Sequence, residues 1–159
     1  MAKEIQLVGF RIGRETFGVP IGLVREIVRM MEITAVPEAP DYVEGVINLR
    51  GRIIPVIDLR KRFREPGIVA NKRNRILVAE LEGRLVGLIV DAASEVLKMA
   101  NGDIEPPPEL LQENDLSYVT GLGKRSGKLI ILVDVEKLLN HGELGRLSEL
   151  TDLQPTGAA

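Results

Sequence analysis

The sequence predicts a mainly β fold made by tandem duplication: two small barrels of four or five short strands that share one core, with short helices and a C-terminal helix. Three observations lead there. Short apolar runs recur between turns rich in glycine, proline and charged residues. The chain repeats itself, since residues 42–63 align without gaps on residues 118–139. Aromatic residues make up 3% of a chain that is 45% hydrophobic, so the core has to be aliphatic.

The elements follow in order. Residues 5–12 alternate loosely and predict a first strand, residues 13–16 a hairpin turn, and residues 17–21 a returning strand weakened at its end by Pro20. Residues 23–31 place Leu23, Ile27, Met30 and Met31 near one helical face, but they read equally as a strand leaving a helical turn. A proline-rich connector covers residues 36–40, and Asp41 is placed to cap a short turn. Residues 65–74 form a charged loop. Residues 75–81 and 85–90, joined by Glu82-Gly83-Arg84, make the clearest hairpin. Residues 92–99 resemble residues 23–31, and a second proline-rich connector spans residues 104–108. A glycine-rich basic loop (residues 121–127) leads into an apolar strand at residues 129–133. Leu138, Leu144, Leu147 and Leu150 then show helical spacing that Gly142 and Gly145 divide.

The repeat pairs Tyr42 with Tyr118, Gly45 with Gly121, Gly51 with Gly127, Ile54 with Ile130 and Asp58 with Asp134. A second block pairs residues 17–30 with 86–99 through Gly18/Gly87, Glu26/Glu95 and Met30/Met99. Residues 43–63 concentrate the most information. A polar loop (Asn48 to Arg52) feeds a strand in which four of five residues are β-branched, and Pro55 predicts that this strand lies at an edge or is bulged there. Asp58 and Asp134 each follow an apolar strand and precede a charged turn, which is N-cap placement.

Composition narrows the function. A net charge of −2 gives no general attraction to nucleic acid or anionic membranes. With no cysteine there is neither a disulfide nor a thiolate metal site, consistent with a reducing compartment. No apolar run is long enough to span a bilayer, and residues 1–10 lack the pattern of a signal peptide, so a cytoplasmic protein is expected. The loop Gly121-Leu-Gly-Lys-Arg-Ser-Gly-Lys128 fails the phosphate-loop spacing and leads into a strand, where that motif requires a helix. His141 is the single histidine and has no partners for a metal site or triad. No catalytic residue, metal site or cofactor is therefore predicted. Glu26 either faces solvent or is the one polar contact in the apolar neighbourhood of Leu23, Val24, Ile27 and Val28. The cluster Asn48, Arg50 and Arg52 suits a protein contact better than RNA, which would call for aromatic stacking platforms. A small β-barrel nucleic-acid binder using Arg50, Arg52 and residues 124–128 is the weaker alternative.

The sixteen residues Gly45-Val-Ile-Asn-Leu-Arg-Gly-Arg-Ile-Ile-Pro-Val-Ile-Asp-Leu-Arg60 resemble the signature of the CheW-type coupling proteins of chemotaxis. Val24-Arg-Glu-Ile27, Val86-Gly-Leu-Ile-Val-Asp91, Tyr118-Val-Thr-Gly-Leu-Gly123 and residues 129–139 extend the resemblance over nearly the whole chain. It implies two five-stranded barrels of SH3 or OB type, one CheW-like domain over residues 1–150 with repeat halves near 5–63 and 75–139. Exchange of strands between the halves is left open, and residues 151–159 are read as a frayed tail. It further implies a non-enzymatic adaptor that bridges chemoreceptor cytoplasmic tips and the regulatory domain of the chemotaxis histidine kinase, cytoplasmic but associated with membrane receptor arrays, with no membrane insertion. A related kinase pathway outside chemotaxis is the alternative. Carried over by position, the receptor-binding groove comprises Val24, Glu26, Ile27, Asn48, Leu49, Arg50 and Gly51. Val24 and Ile27 would be apolar anchors and Glu26 and Arg50 would set register. Kinase-binding residues are not assigned. Gly22 departs from the bulkier or polar residue often found there, so the start of the groove element is expected to differ in shape.

Overall fold

The computed structural model describes residues 4–63, 66–109 and 118–139. Eleven strands are described there: β1 (Glu4–Ile12), β2 (Glu15–Pro20), β3 (Val24–Arg29), β4 (Val43–Leu49), β5 (Arg52–Asp58), β6 (Arg75–Leu81), β7 (Arg84–Val90), β8 (Ala92–Ala100), β9 (Ile104–Glu105), β10 (Val119–Arg125) and β11 (Lys128–Val133). One-turn helices α1 (Leu59–Arg62) and α2 (Val135–Leu138) follow β5 and β11, and 3-10 turns at Ile21–Leu23 and Asn101–Asp103 precede β3 and β9.

The strands form two sheets. One runs β8-β1-β2-β11-β10-β9 and the other β3-β6-β7-β5-β4. Each sheet therefore mixes the two sequence repeats: β1 and β2 of the first join β8 to β11 of the second, while β6 and β7 of the second join β3 to β5 of the first. The exchange is symmetrical. Leu132 pairs with Gly18 in the parallel contact of β11 with β2, and their repeat equivalents Val56 and Gly87 pair in the parallel contact of β5 with β7. Parallel neighbours need a long connection, and the repeats supply one by sending each half's later strands to the other sheet.

Both sheets curl. In the second, edge strands β3 and β4 are brought back together. Thr34, just beyond β3, exchanges two backbone hydrogen bonds of 2.9 Å with Val46 of β4. The matching contact in the first sheet is β9, whose Glu105 pairs with Leu122 of β10. That sheet therefore counts six strands where five were expected, because a bridge of one residue in one barrel is a strand of two in the other.

Burial divides three ways. Leu7, Leu97, Met99, Ile130 and Leu132 fill the first barrel. Ile47, Leu49, Ile54, Val56, Ile76, Val78 and Ile89 fill the second. Between the barrels lies the largest cluster, including Val8, Phe10, Phe17, Ile57, Leu77, Leu88, Val90, Val133 and Leu139. Because alternate residues of a strand face opposite sides, Leu7 lines a barrel while Val8 packs into the shared core. The few aromatics cross this core: Phe10, Phe17 and Phe63 stack in sequence with ring centroids 5.7 and 5.0 Å apart, and Tyr118 is tilted against Phe63 at 5.5 Å.

One expectation changes, and one open alternative is decided. β5 lies between β4 and β7, so Pro55 is not on an edge strand. The bulge is on β4, where the register slips between Val43 and Gly45. The parallel ladder with β7 covers only Val56 to Asp58 and so begins just past the proline. Within residues 23–31 the strand reading holds: β3 (Val24–Arg29) leaves the 3-10 turn, with a bulge at Arg25. Asp58 and Asp134 do cap α1 and α2, each carboxylate accepting the backbone N–H two residues on. The predicted helical spacing beyond residue 139 and His141 lie outside the described residues.

Candidate functional site

The predicted contact residues sit on two neighbouring elements of the second barrel, the edge strand β3 and the β4–β5 turn. The turn is built by its sequence. Arg50 and Gly51 both have positive φ (53° and 85°), as a two-residue hairpin of the tight, primed kind demands. The Gly51 N–H donates to Asn48 Oδ1 at 2.8 Å. Asn48 and Gly51 thus shape the loop more than they present a contact. Leu49 is 9% exposed and belongs to the second barrel's interior. Arg50 stands at the tip, its side chain 69% exposed.

From that tip Arg50 reaches across to β3 and pairs with Glu26. The two strands are at opposite ends of the sheet order, so only the curl of the sheet brings these charges together. A second pair, Arg25 with Glu80 of β6, lies alongside. Together with Arg52, Ile54, Val78 and Leu85 these side chains line the open mouth of the second barrel. Arg25, Arg52 and Glu80 were not among the predicted residues. Nothing in the local sequence distinguishes Glu80 from any other strand carboxylate, whereas Arg52 was visible as part of the basic loop.

The bulge at Arg25 sorts the remaining residues. Directly opposed residues of an antiparallel pair face the same side. Val24 opposes Ala79 and Ile27 opposes Leu77, both of the shared core, whereas Glu26 opposes Val78 of the barrel interior. Val24 and Ile27 therefore lie on the outer face of β3, Val24 half-buried and Ile27 41% exposed, while Glu26 turns to the barrel mouth. Of the seven predicted residues, Val24 and Ile27 share one side of edge strand β3, Glu26 meets Arg50 at the barrel mouth, and Asn48, Leu49 and Gly51 lie in the turn that carries Arg50.

A separate polar cluster lies between the barrels. Arg60 is 6% exposed and its guanidinium donates from Nε and Nη2 to Asp58, both at 2.9 Å. Its Nη1 donates to Asn74 Oδ1 and Asp91 Oδ1, each at 3.3 Å. The hydrogen bonds that Arg60 donates to Asp58 raise the Arg60 pKa further above its already high value, with the charges of both carboxylates adding to the effect against the cost of burial. Asp91 also accepts the Gly13 N–H at 2.7 Å, which ties the β1–β2 turn to the cluster. The sequence showed Asp58 only as a cap. That it also holds a buried arginine depends on β7 and on the loop before β6, which are distant in sequence.

Comparison with known proteins shows which chains share this sequence and fold. A family model described as the CheW-like domain matches residues 6–143. The chain is 38% identical over 135 residues to the chemotaxis protein CheW of Klebsiella aerogenes, covering 85% of this chain and 81% of that protein. It is 39% identical over 136 residues to the chemotaxis protein CheW of Helicobacter pylori, again over 85% and 81%. The crystal structure of the scaffolding protein TtCheW from Thermoanaerobacter tengcongensis matches with a TM-score of 0.80 and 40% identity, covering 87% of this chain and 94% of that one.

Proposed function

We propose that this chain, which belongs to the CheW-like family, is a chemotaxis coupling adaptor. It acts by protein–protein binding on the cytoplasmic side of membrane receptor arrays, bridging the cytoplasmic tip of a chemoreceptor and the regulatory domain of the chemotaxis histidine kinase. The observation that carries the receptor half of this reading is edge strand β3, with exposed Ile27 on one side and the Glu26–Arg50 pair on the other. A receptor tip is a helical hairpin. A helix laid against an edge strand needs an apolar anchor and a few oriented charges, and β3 offers both within four residues. Val24, Glu26, Ile27 and Arg50 make direct contact in this reading. Asn48, Leu49 and Gly51 support the turn that carries Arg50.

The test is a binding measurement with a receptor-tip fragment and, separately, with the kinase regulatory domain. Arg50→Glu and Ile27→Ala should each weaken receptor binding by about tenfold or more, the loss of a buried contact being worth about 1–2 kcal/mol. Their unfolding curves should stay close to wild type, since exposed ion pairs contribute little to stability. Wild-type affinity in both variants would remove the site assignment while leaving the family membership untouched.

A further inference from the structure

Edge strand β3 sets two like charges side by side. From Ile27 to Arg29 its register with β6 is regular, Ile27 opposing Leu77 and Arg29 opposing Arg75. Residues two apart in a strand share a face, so Arg29 and Arg75 extend the face that holds Ile27. Opposed Cβ atoms lie about 5 Å apart, and like charges placed so are destabilising. Arg75 is fixed there by its own bonds: Nη1 donates to the carbonyl oxygens of Lys72 and Asn74, both at 2.8 Å. Arg29 is exposed. On the other side of Arg75 its neighbour on β7 is buried, apolar Val90. The carboxylate of Asp91, the next residue, is engaged by Arg60 and the Gly13 N–H. In the first barrel the repeat equivalents are Gln6 and Lys98, which also oppose each other, on β1 and β8. That pair holds a single charge. The doubled charge therefore belongs to the second copy, on the strand that also carries Ile27 and the Glu26–Arg50 pair.

We infer that the partner helix laid on β3 presents a carboxylate to Arg29 and Arg75, about 7 Å along the strand from the side chain that covers Ile27. This rests on the receptor reading and adds to it the sign and the position of one charge. A carboxylate between the two guanidinium groups turns a repulsion into two favourable contacts, and the arginine fork matches carboxylate geometry. Residues four apart in a helix are separated by about 6 Å along its axis. A helix running along β3 can therefore supply an apolar residue to Ile27 and, one turn on, an acid to the arginines. The repulsion burdens the free chain and is relieved in the complex, as binding sites commonly trade stability for function.

The test is binding of a receptor-tip fragment to the full chain, with stability read alongside. Arg29→Glu sets an acid opposite Arg75. It should raise the urea midpoint of the free protein, because opposite charges at a cross-strand pair stabilise. It should also weaken fragment binding by about tenfold or more at low salt, since like charges meeting across an interface are costly. The loss should shrink as salt is added. Arg29→Gln, which copies the uncharged partner of the first barrel, should change both quantities in the same directions by less. Replacing the fragment's acidic residues by lysine, one at a time, should find one replacement that restores binding to Arg29→Glu. Wild-type binding with both Arg29 variants unchanged in affinity would overturn the inference and leave the receptor reading standing. So would a lowered urea midpoint in Arg29→Glu, or a loss of affinity that no lysine replacement restores. A wild-type chain that does not bind the fragment would remove the receptor reading and the inference together.

Discussion

The β4–β5 and β10–β11 hairpins are the same device used twice. Arg50-Gly51 and Ser126-Gly127 adopt the same pair of positive φ angles, 53° and 85° against 52° and 76°. Their surroundings differ at each step. Asn48 accepts a hydrogen bond from its own turn, while its counterpart Lys124 reaches out to Glu105 at 3.5 Å. Leu49 is buried and Arg125 exposed. Arg50 joins Glu26, and Ser126 is too short to bridge to a neighbouring strand. Inside the barrels the exchange continues. Ile47 fills the second barrel and leaves Met30 39% exposed, whereas Gly123 leaves a space that Met99 occupies at 3% exposure. The difference teaches that turn chemistry and strand pattern fix the architecture, while tip and filling residues are free to specialise one copy.

The comparison breaks hardest at Arg60. Arg60→Met strands the buried Asp58 carboxylate and should cost about 3–5 kcal/mol, whereas Glu136→Met at the equivalent exposed position should change stability by less than about 0.5 kcal/mol. Urea unfolding of the two variants measures the contrast, and similar losses would mean the two repeat-equivalent positions are energetically alike. Next comes Gly45. Its φ is +144°, and a Cβ there would lie 2.1 Å from the Thr34 carbonyl oxygen, so Gly45→Ala should cost about 3 kcal/mol or more. At Gly121 the nearest atom is a side-chain methyl of Ile104 at 3.0 Å, and Gly121→Ala should cost about 1 kcal/mol.

Smaller effects sharpen the turn comparison. Asn48→Ala removes the hydrogen bond to Gly51 and should cost about 1 kcal/mol, while Lys124→Ala should cost almost nothing because its ion pair is exposed. A thermal melt of each, read against the parent, checks the difference. The smallest effect is on pH. Burial raises the Tyr118 pKa, with nearby Arg62 opposing it in part. The folded state therefore keeps the phenol proton where the unfolded chain releases it, and this contribution to stability is intact below about pH 10 and is lost as pH rises above it. Tyr118→Phe should make the alkaline fall in stability shallower. An unchanged slope would show that the ring is no less hydrated folded than unfolded.

Much was legible in sequence because it rests on local chemistry. β-branched runs, Gly51 and Gly127 at positive φ, and the capping carboxylates Asp58 and Asp134 each report a few neighbouring residues. The duplication was legible because it is a comparison of the chain with itself. The candidate site was legible only in part. Residues 24–27 and 48–51 are adjacent in space, as the resemblance implied, but their division between two faces was hidden. The bulge at Arg25 gives Val24 and Ile27 a common side that a regular strand would deny them.

The sequence by itself determined a β-rich, aliphatic, duplicated chain with tight hairpins and capped helical turns, since each follows from residue type and spacing. The tertiary structure alone decided which strands pair across the repeats, that Pro55 lies inside a sheet, that Arg50 meets Glu26, and that Arg60 is buried against Asp91. All four are contacts between residues or strands separated by intervening chain. Their free energy comes from curling two sheets around a common core, a choice no single stretch of sequence carries.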